Sequence, residues 1–185
     1  MGSPRWLSDD ERQAWLAWVF ASRLFWEEVE RDLQREAGMP FGYYDILVML
    51  SESPERRLRM SELADCTQSS RSRLSHAVAR FEDLGWVRRE RCEDDRRGAD
   101  AVLTDAGLAA LEAAAPLHVE SVRRHLFDVL TAEQQAALAD ASSALLEHLL
   151  PLVAERGDGR PAQFERARGV AGHDGARRPT DTEGA

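Results

Sequence analysis

Apolar residues recur at steps of three and four through the first part of the chain. Trp15, Trp18, Phe25 and Val29 form one stripe, with Ser22 completing its spacing, and Leu16, Val19, Phe20 and Leu24 fill the stripe beside it. That period predicts an α-helix. Its start is marked by Ser8 followed by Asp9, Asp10 and Glu11, a capping box with acids in the first turn, and its end by Gly38 and Pro40 after Ala37. A helix apolar over so much of its circumference is covered on two sides. In a chain this short, one of those sides is expected to face a partner chain.

Shorter elements follow. Tyr44, Ile46, Leu47, Val48 and Leu50 predict a second helix from Gly42 to about Ser51, broken by Ser53-Pro54-Glu55. Leu58-Arg59-Met60 reads as a small strand, and Ser61 to Asp65 as a short helix capped by Ser61. The next helix is capped by Ser70 and stops at Gly85. Leu74, Ala77, Val78, Phe81 and Leu84 make its buried face, and Arg71, Ser72, Ser75, His76 and Ala79 its outer face, with Arg73 and Arg80 at the edges. Trp86 to Arg91 and Ala101-Val102-Leu103 pair as a hairpin around Asp94-Asp95-Arg96-Arg97-Gly98.

Thr104 caps a helix carrying Leu108, Leu111, Leu117, Val119, Val122, Leu126 and Val129. Pro116 is expected to kink or split it, because the ring clashes with the preceding turn. A capping signal at Thr131 with Glu133-Gln134 opens a last helix to about Leu150, with Leu138, Leu145, Leu146 and Leu149. From Glu155 onward Gly, Pro, Arg and Asp dominate, so Gly157 to Ala185 reads as a disordered tail. No internal repeat is present.

Short helix, turn, helix and hairpin, framed by long helices, predict a mainly α protein. The expected fold is a winged helix-turn-helix held between long N- and C-terminal helices that are built to pair. Residues 1–53 hold the N-terminal helices, and 54–103 the winged helix-turn-helix lobe. Residues 104–154 hold the C-terminal helices, and 155–185 the tail.

Composition narrows the function. The 185 residues suit one domain with a tail. No run approaches the ~18 apolar residues of a membrane span, and the N-terminus lacks a signal-peptide pattern. A cytoplasmic location without a membrane partner is expected. Two cysteines, Cys66 and Cys92, are too few for a disulfide framework or a closed zinc site, and both read as inert. His118 and His125 lie seven apart on one helix face with no completing ligand, so they read as surface or interface residues. No metal and no cofactor are expected. No nucleophile triad, glycine-rich phosphate loop or paired carboxylates in a pocket appear, which argues against an enzyme.

The net charge of −9 hides a gradient. From Glu55 to Arg97 there are 11 arginines against nine acids, and between Arg56 and Arg89 eight against four; lysine is absent from the chain. Local charge decides whether a surface attracts phosphates. The helix after Ser70 displays Arg71, Ser72 and Arg73 in its first turn, beside free backbone N–H groups. A major-groove reader places such residues there, since arginine grips guanine through two hydrogen bonds and serine bonds a base or phosphate. At the hairpin, Arg97 suits the electronegative minor groove, and Asp95 fixes its guanidinium in advance. Either feature alone fits an ordinary solvated face; together, at this spacing, they point to duplex DNA.

Around these residues the chain resembles the MarR-type (multiple antibiotic resistance regulator) transcription factors. The likeness runs from about Trp15 to Leu150 and is strongest from Met60 to Gly107. There the chain reads Met-Ser-Glu-Leu-Ala from Met60, Arg-Phe-Glu-Asp-Leu-Gly-Trp-Val from Arg80, Asp-Arg-Arg-Gly from Asp95 and Leu-Thr-Asp-Ala-Gly from Leu103. Asp95, Arg97, Leu103, Thr104 and Gly107 match the family signature position by position. The resemblance implies an obligate homodimer, paired through its first and last helices, on a pseudo-palindromic DNA operator. It also implies regulation by a small aromatic or phenolic effector bound between the dimer helices and the DNA-binding lobe.

The expected contacts are Arg71, Ser72, Arg73, Ser75 and His76 in the major groove and Arg97 in the minor groove. Arg96 is placed on a nearby phosphate, and Ser61, Thr67 and Gln68 near the backbone. Arg88 and Arg89 are weaker candidates at the hairpin base, and Arg80 lies far along its helix. Trp15, Trp18, Ser22, Phe25, Tyr44 and Leu47 are the candidate ligand-binding residues. The leading expectation is a ligand-responsive repressor. The alternative is a DNA-architectural protein with broad, effector-independent binding, which a specificity ratio below ~10³ would reveal.

Overall fold

Helix boundaries fall where side chains satisfy the backbone groups that a helix end leaves free. The computed structural model describes residues 4–67, 70–91 and 98–154. Helix α1 spans Asp9–Ala37. The Ser8 N–H donates to the Glu11 carboxylate at 2.7 Å, and the Glu11 N–H donates to Ser8 Oγ at 3.2 Å. At the other end Gly38, at φ 63°, donates its N–H to the Gln34 carbonyl. Helix α2, Phe41–Glu52, begins where the Glu30 carboxylate accepts the Phe41 N–H at 2.8 Å.

A single 3₁₀ turn, Pro54–Arg56, leads into strand β1, Arg57–Arg59. Glu55 and Arg56 both sit at positive φ, 53° and 55°. That conformation costs roughly 1–2 kcal/mol per non-glycine residue, and the Arg56–Asp105 ion pair at 3.0 Å helps hold the turn. Helices α3, Met60–Cys66, and α4, Arg71–Asp83, follow, then strands β2, Val87–Arg91, and β3, Ala99–Leu103. The chain continues as α5, Asp105–His125, a 3₁₀ turn, Phe127–Val129, and α6, Ala132–Ala154. The strands form an antiparallel sheet in the order β1-β3-β2, with Val87 opposite Leu103 and Arg57 opposite Val102. This is the winged-helix arrangement expected.

The core is gathered from α1, α2, α3, α4, α5 and the sheet, including Leu33, Leu47, Leu50, Leu63, Val87, Ala101, Leu103 and Leu111. Helix α4 contributes Leu74, Ala77, Val78 and Phe81. Burial of side chains such as Leu74 and Phe81 stabilises by about 1.5–3 kcal/mol each, which fixes the rotation of α4 and turns its arginines outward.

Four local expectations are corrected. The strand is Arg57–Arg59, and Met60 already belongs to α3. Ser61 does not cap that helix; Arg59 is the N-cap residue, and Glu62, three residues on, accepts its N–H at 3.4 Å. Ser61 has Ala64 three positions on and so no carboxylate to complete a box. Leu84 is 39% exposed, because α4 ends at Asp83 and Gly85, at φ 71°, turns the chain off the helical stripe. Pro116 does not split α5, which continues through it. The lost hydrogen bond and ring clash, about 3 kcal/mol, are outweighed by packing of α5 along α1 and α2.

Contacts divide the chain into two units, residues 1–135 and 136–185. In the first, α1 buries only Val29, Asp32 and Leu33, while Trp15, Leu16, Trp18, Phe20, Leu24 and Trp26 stay exposed. Helix α6 starts with a capping box at Thr131 and Gln134, paired at 2.9 and 3.3 Å. Its portion in the second unit exposes Leu138, Leu145, Leu149 and Leu152. Its Ala132–Val153 stretch is long and apolar enough to cross a membrane by length and composition alone. That corrects the expectation that no segment reaches this length; the alanines of α6 supply much of its apolar character.

Candidate nucleic-acid interface

Ser70 fixes where α4 begins: its Oγ accepts the Arg73 N–H at 3.2 Å. The capped turn presents Arg71, Ser72 and Arg73 to solvent, and the next turn Ser75 and His76, all exposed. Arg71, Arg73 and Arg80 have no ion-pair partner among the described residues. Their charge is therefore available to an external anion. A cleft of about 540 Å³ opens beside this turn, lined by Arg59, Ser61, Arg71, Ser75, Arg89 and Gly98. It places three guanidiniums and two hydroxyls around one hollow, a donor set suited to phosphate oxygens.

Arg88 and Arg89 are consecutive on β2 and so face opposite sides of the sheet; Arg89 is the one that lines the cleft, and both are engaged. Arg89 pairs with Glu82 at 3.1 Å and donates to the Ser75 carbonyl at 2.8 Å, tying β2 to α4. Arg88 pairs with Glu90 at 2.6 Å. Thr67 is half-buried and donates its hydroxyl to the Leu63 carbonyl at 2.8 Å, so it finishes α3. Gln68, Asp95, Arg96 and Arg97 lie outside the described residues, as do Cys92 and residues 155–185. Arg59 and the role of Arg89 in tying β2 to α4 were missed in the sequence; the run Arg56-Arg57-Leu58-Arg59 beside a predicted helix start was the signal for the first.

Aromatic residues gather in three places, one of them the core, where Phe81 contacts Tyr43 at 4.8 Å and Trp86 at 5.9 Å. Trp15 and Trp18 meet each other at 5.5 Å on the exposed half of α1. Phe25 contacts Trp26 at 5.0 Å, Trp26 contacts Phe41 at 5.1 Å, and Phe41 and Tyr44 both reach His118, at 5.8 and 4.7 Å. Ser22 donates to the Val19 carbonyl, and Leu47 is fully buried in the core. Trp15 and Phe25 are ten residues apart on one helix, about 15 Å along its axis, so the six candidate ligand residues fall into separate groups. Trp26, Phe41 and His118 belong to the longer chain of rings and were not singled out in the sequence.

Neither histidine is a plain surface residue, contrary to expectation for the surface case. His118 is half-buried with Nδ1 lacking a hydrogen-bond partner among the described residues, and burial pushes its pKa down. His125 Nε2 lies 2.8 Å from the carboxylate of buried Asp32. Cys66 is half-buried, and burial first, then the charges of Asp65, Glu62 and Asp45, push its thiol pKa up. No cluster able to hold a metal ion occurs among the described residues.

Comparison with known proteins agrees with this layout. The family model described as MarR family matches residues 37–98. Sco3205, a MarR family transcriptional regulator from Streptomyces coelicolor solved in complex with DNA, is 51% identical to this chain. The match covers 79% of this chain and 92% of that one, with a TM-score of 0.70. AbsC, a MarR family transcriptional regulator from the same organism, is 47% identical over 80% of this chain and 99% of its own, with a TM-score of 0.69. The HTH-type transcriptional regulator PecS of Dickeya dadantii (strain 3937) is 28% identical over 108 residues, 58% of this chain. The chain spans 64% of that curated relative's length.

Proposed function

This chain belongs to the MarR family of DNA-binding transcriptional regulators, and from that premise we propose that it is a homodimeric repressor of a pseudo-palindromic operator. The observation that carries this reading is the capped first turn of α4. It presents Arg71, Ser72 and Arg73 free of described ion-pair partners beside the arginine-lined cleft. In this reading α4 lies in the major groove, with Ser75 and His76 completing its contacts, and Arg97, steadied by Asp95, enters the adjacent minor groove. The sugar-phosphate ridge between the two grooves then crosses the cleft, where Arg59, Ser61 and Arg89 face it; Arg96, Thr67 and Gln68 lie along the same backbone. The Sco3205 complex with DNA supports the choice of partner.

Residues 54–103 are the DNA-binding lobe, and 1–53 with 104–154 supply dimerisation. The exposed Trp15, Leu16, Trp18, Phe20 and Leu24 of α1 are one apolar surface that a second copy would cover, and Leu138, Leu145 and Leu149 of α6 are another. A small aromatic or phenolic effector releases the DNA, held beside Phe25 and Tyr44; of the six candidates Trp15, Trp18, Ser22, Phe25, Tyr44 and Leu47, these two belong to one chain of ring contacts. The ring contacts from Phe25 to Tyr44, and the Nδ1 of His118, which lacks a hydrogen-bond partner among the described residues, support a site of that chemistry.

The test is fluorescence anisotropy of the purified protein on the DNA upstream of its own gene, titrated with salt and with random DNA as competitor. Binding at least ~10³ tighter than to random DNA, falling steeply with salt, is the expected result. Equal affinity for both DNAs from a selected pool would replace the repressor with a broad architectural binder.

A further inference from the structure

Two carboxylates face each other at the root of the hairpin. Glu90 on β2 and Asp100 on β3 are directly opposite in register, one step before the last described pair, Arg91 and Ala99. Like charges in that position push paired strands apart. Arg57, from the third strand, spans them. Its own register partner is Val102, yet its Nη2 lies 2.5 Å from Glu90 and its Nη1 3.3 Å from Asp100. One guanidinium therefore crosses β3 to bridge all three strands. Arg88 adds a second hydrogen bond to Glu90, and with the charge of Arg57 this holds the Glu90 carboxyl below its ordinary value against the effect of desolvation.

The segment that carries Asp95 and Arg97 follows Arg91 directly in the chain, and the strand pair at Glu90 and Asp100 lies one step before the point where it leaves the sheet. We infer that Arg57 is the positioning residue for the wing: it closes the hairpin root so that Arg97 is directed at DNA, and it makes no DNA contact itself. This rests on the minor-groove role proposed for Arg97. The side chain is well placed for an internal task, since both guanidinium edges are occupied by carboxylates and its Nε is buried.

The experiment is a double-mutant cycle on operator DNA with Arg57→Gln, Arg97→Ala and the pair, with melting temperatures measured alongside. Arg57→Gln is expected to weaken binding roughly 5- to 10-fold, and to add nothing in the Arg97→Ala background. Glu90→Gln removes the repulsion, so Arg57→Gln with Glu90→Gln is expected to regain the lost affinity, while Glu90→Gln alone leaves it unchanged. This second variant also serves if Arg57→Gln folds poorly. Losses that multiply in the double variant, or no loss with Arg57→Gln, overturn the inference while Arg97 keeps its role. Full affinity in Arg97→Ala overturns the minor-groove reading, and the positioning role with it.

Discussion

A Cβ added to Gly107 would stand 2.2 Å from the Trp86 carbonyl oxygen and 2.7 Å from Leu103 Cδ1. The first turn of α5 thus lies directly on the connection between α4 and β2. Thr104 completes the joint: its N–H donates to the same Trp86 oxygen at 2.9 Å, and its hydroxyl lies 2.6 Å from the Gly85 carbonyl and accepts the Gly107 N–H. The Leu-Thr-Asp-Ala-Gly segment is therefore a seat for the DNA-binding lobe. Gly107→Ala is expected to destabilise the fold by about 1–3 kcal/mol, the cost of overpacking a tight contact. Urea unfolding measures it, and wild-type stability in the variant would show that the contact yields without strain.

Asp32 gives the fold an acid-sensitive tie. Its carboxylate is 4% exposed and accepts from Arg35 at 2.7 Å, Ser121 at 2.9 Å and Arg124 at 3.2 Å, with His125 at 2.8 Å. Desolvation alone would raise its pKa; the hydrogen bonds from His125 and Ser121 and the charge of Arg35 outweigh that and lower it. A carboxyl with a depressed folded pKa stabilises the protein above its unfolded pKa, and that stability is lost as pH falls through the lowered value. Asp32→Asn should cost about 2–4 kcal/mol at neutral pH and flatten the acid limb below the ordinary aspartate range. Unfolding free energies of both proteins between neutral and strongly acidic pH test this; parallel curves would remove Asp32 from the acid response.

Local signals made most helix ends legible. Ser8, Ser70, Thr104 and Thr131 each cap the helix they precede, because a cap needs only residues within one turn. The outward face of α4 was legible for a similar reason: Leu74, Ala77, Val78 and Phe81 share a period that only one helix orientation satisfies. What failed depended on distant partners. Ser121, Arg124 and His125 meet Asp32 across some 90 residues of chain, and no spacing rule connects them. Strand β1 is three residues long and exists because β3 returns beside it, so Arg57 looked like any surface arginine. The ring contacts of Trp26, Phe41 and His118 likewise need α1, α2 and α5 to be packed before they exist.

Cys66 is expected to be a poor nucleophile. Burial and three nearby carboxylates disfavour its thiolate, and the thiolate is the reactive form. In a Cys92→Ser variant, where Cys66 is the remaining thiol, alkylation by iodoacetamide at neutral pH should be slower than for a free cysteine and should accelerate on unfolding. Mass spectrometry over time follows it. Modification at the rate of a free thiol in the folded protein would instead mark Cys66 as reactive.

Position along α4 separates reading from background charge. Arg71 and Arg73 stand in the capped first turn, whereas Arg80 is nine residues beyond Arg71, roughly 13 Å further along the axis. All three are exposed and lack described ion-pair partners, so simple attraction to phosphates would weigh them alike. A helix that enters the major groove by its N-terminus weighs them differently. Arg71→Ala and Arg73→Ala should each weaken operator binding by about 1–3 kcal/mol, and the one that bonds a base should also relax the preference at a single operator position. Arg80→Ala should change affinity little. Anisotropy titrations on the operator and on single-base variants decide the matter. Equal losses from all three substitutions, with no change in base preference, would mean that α4 is a charged surface and that another element reads the sequence.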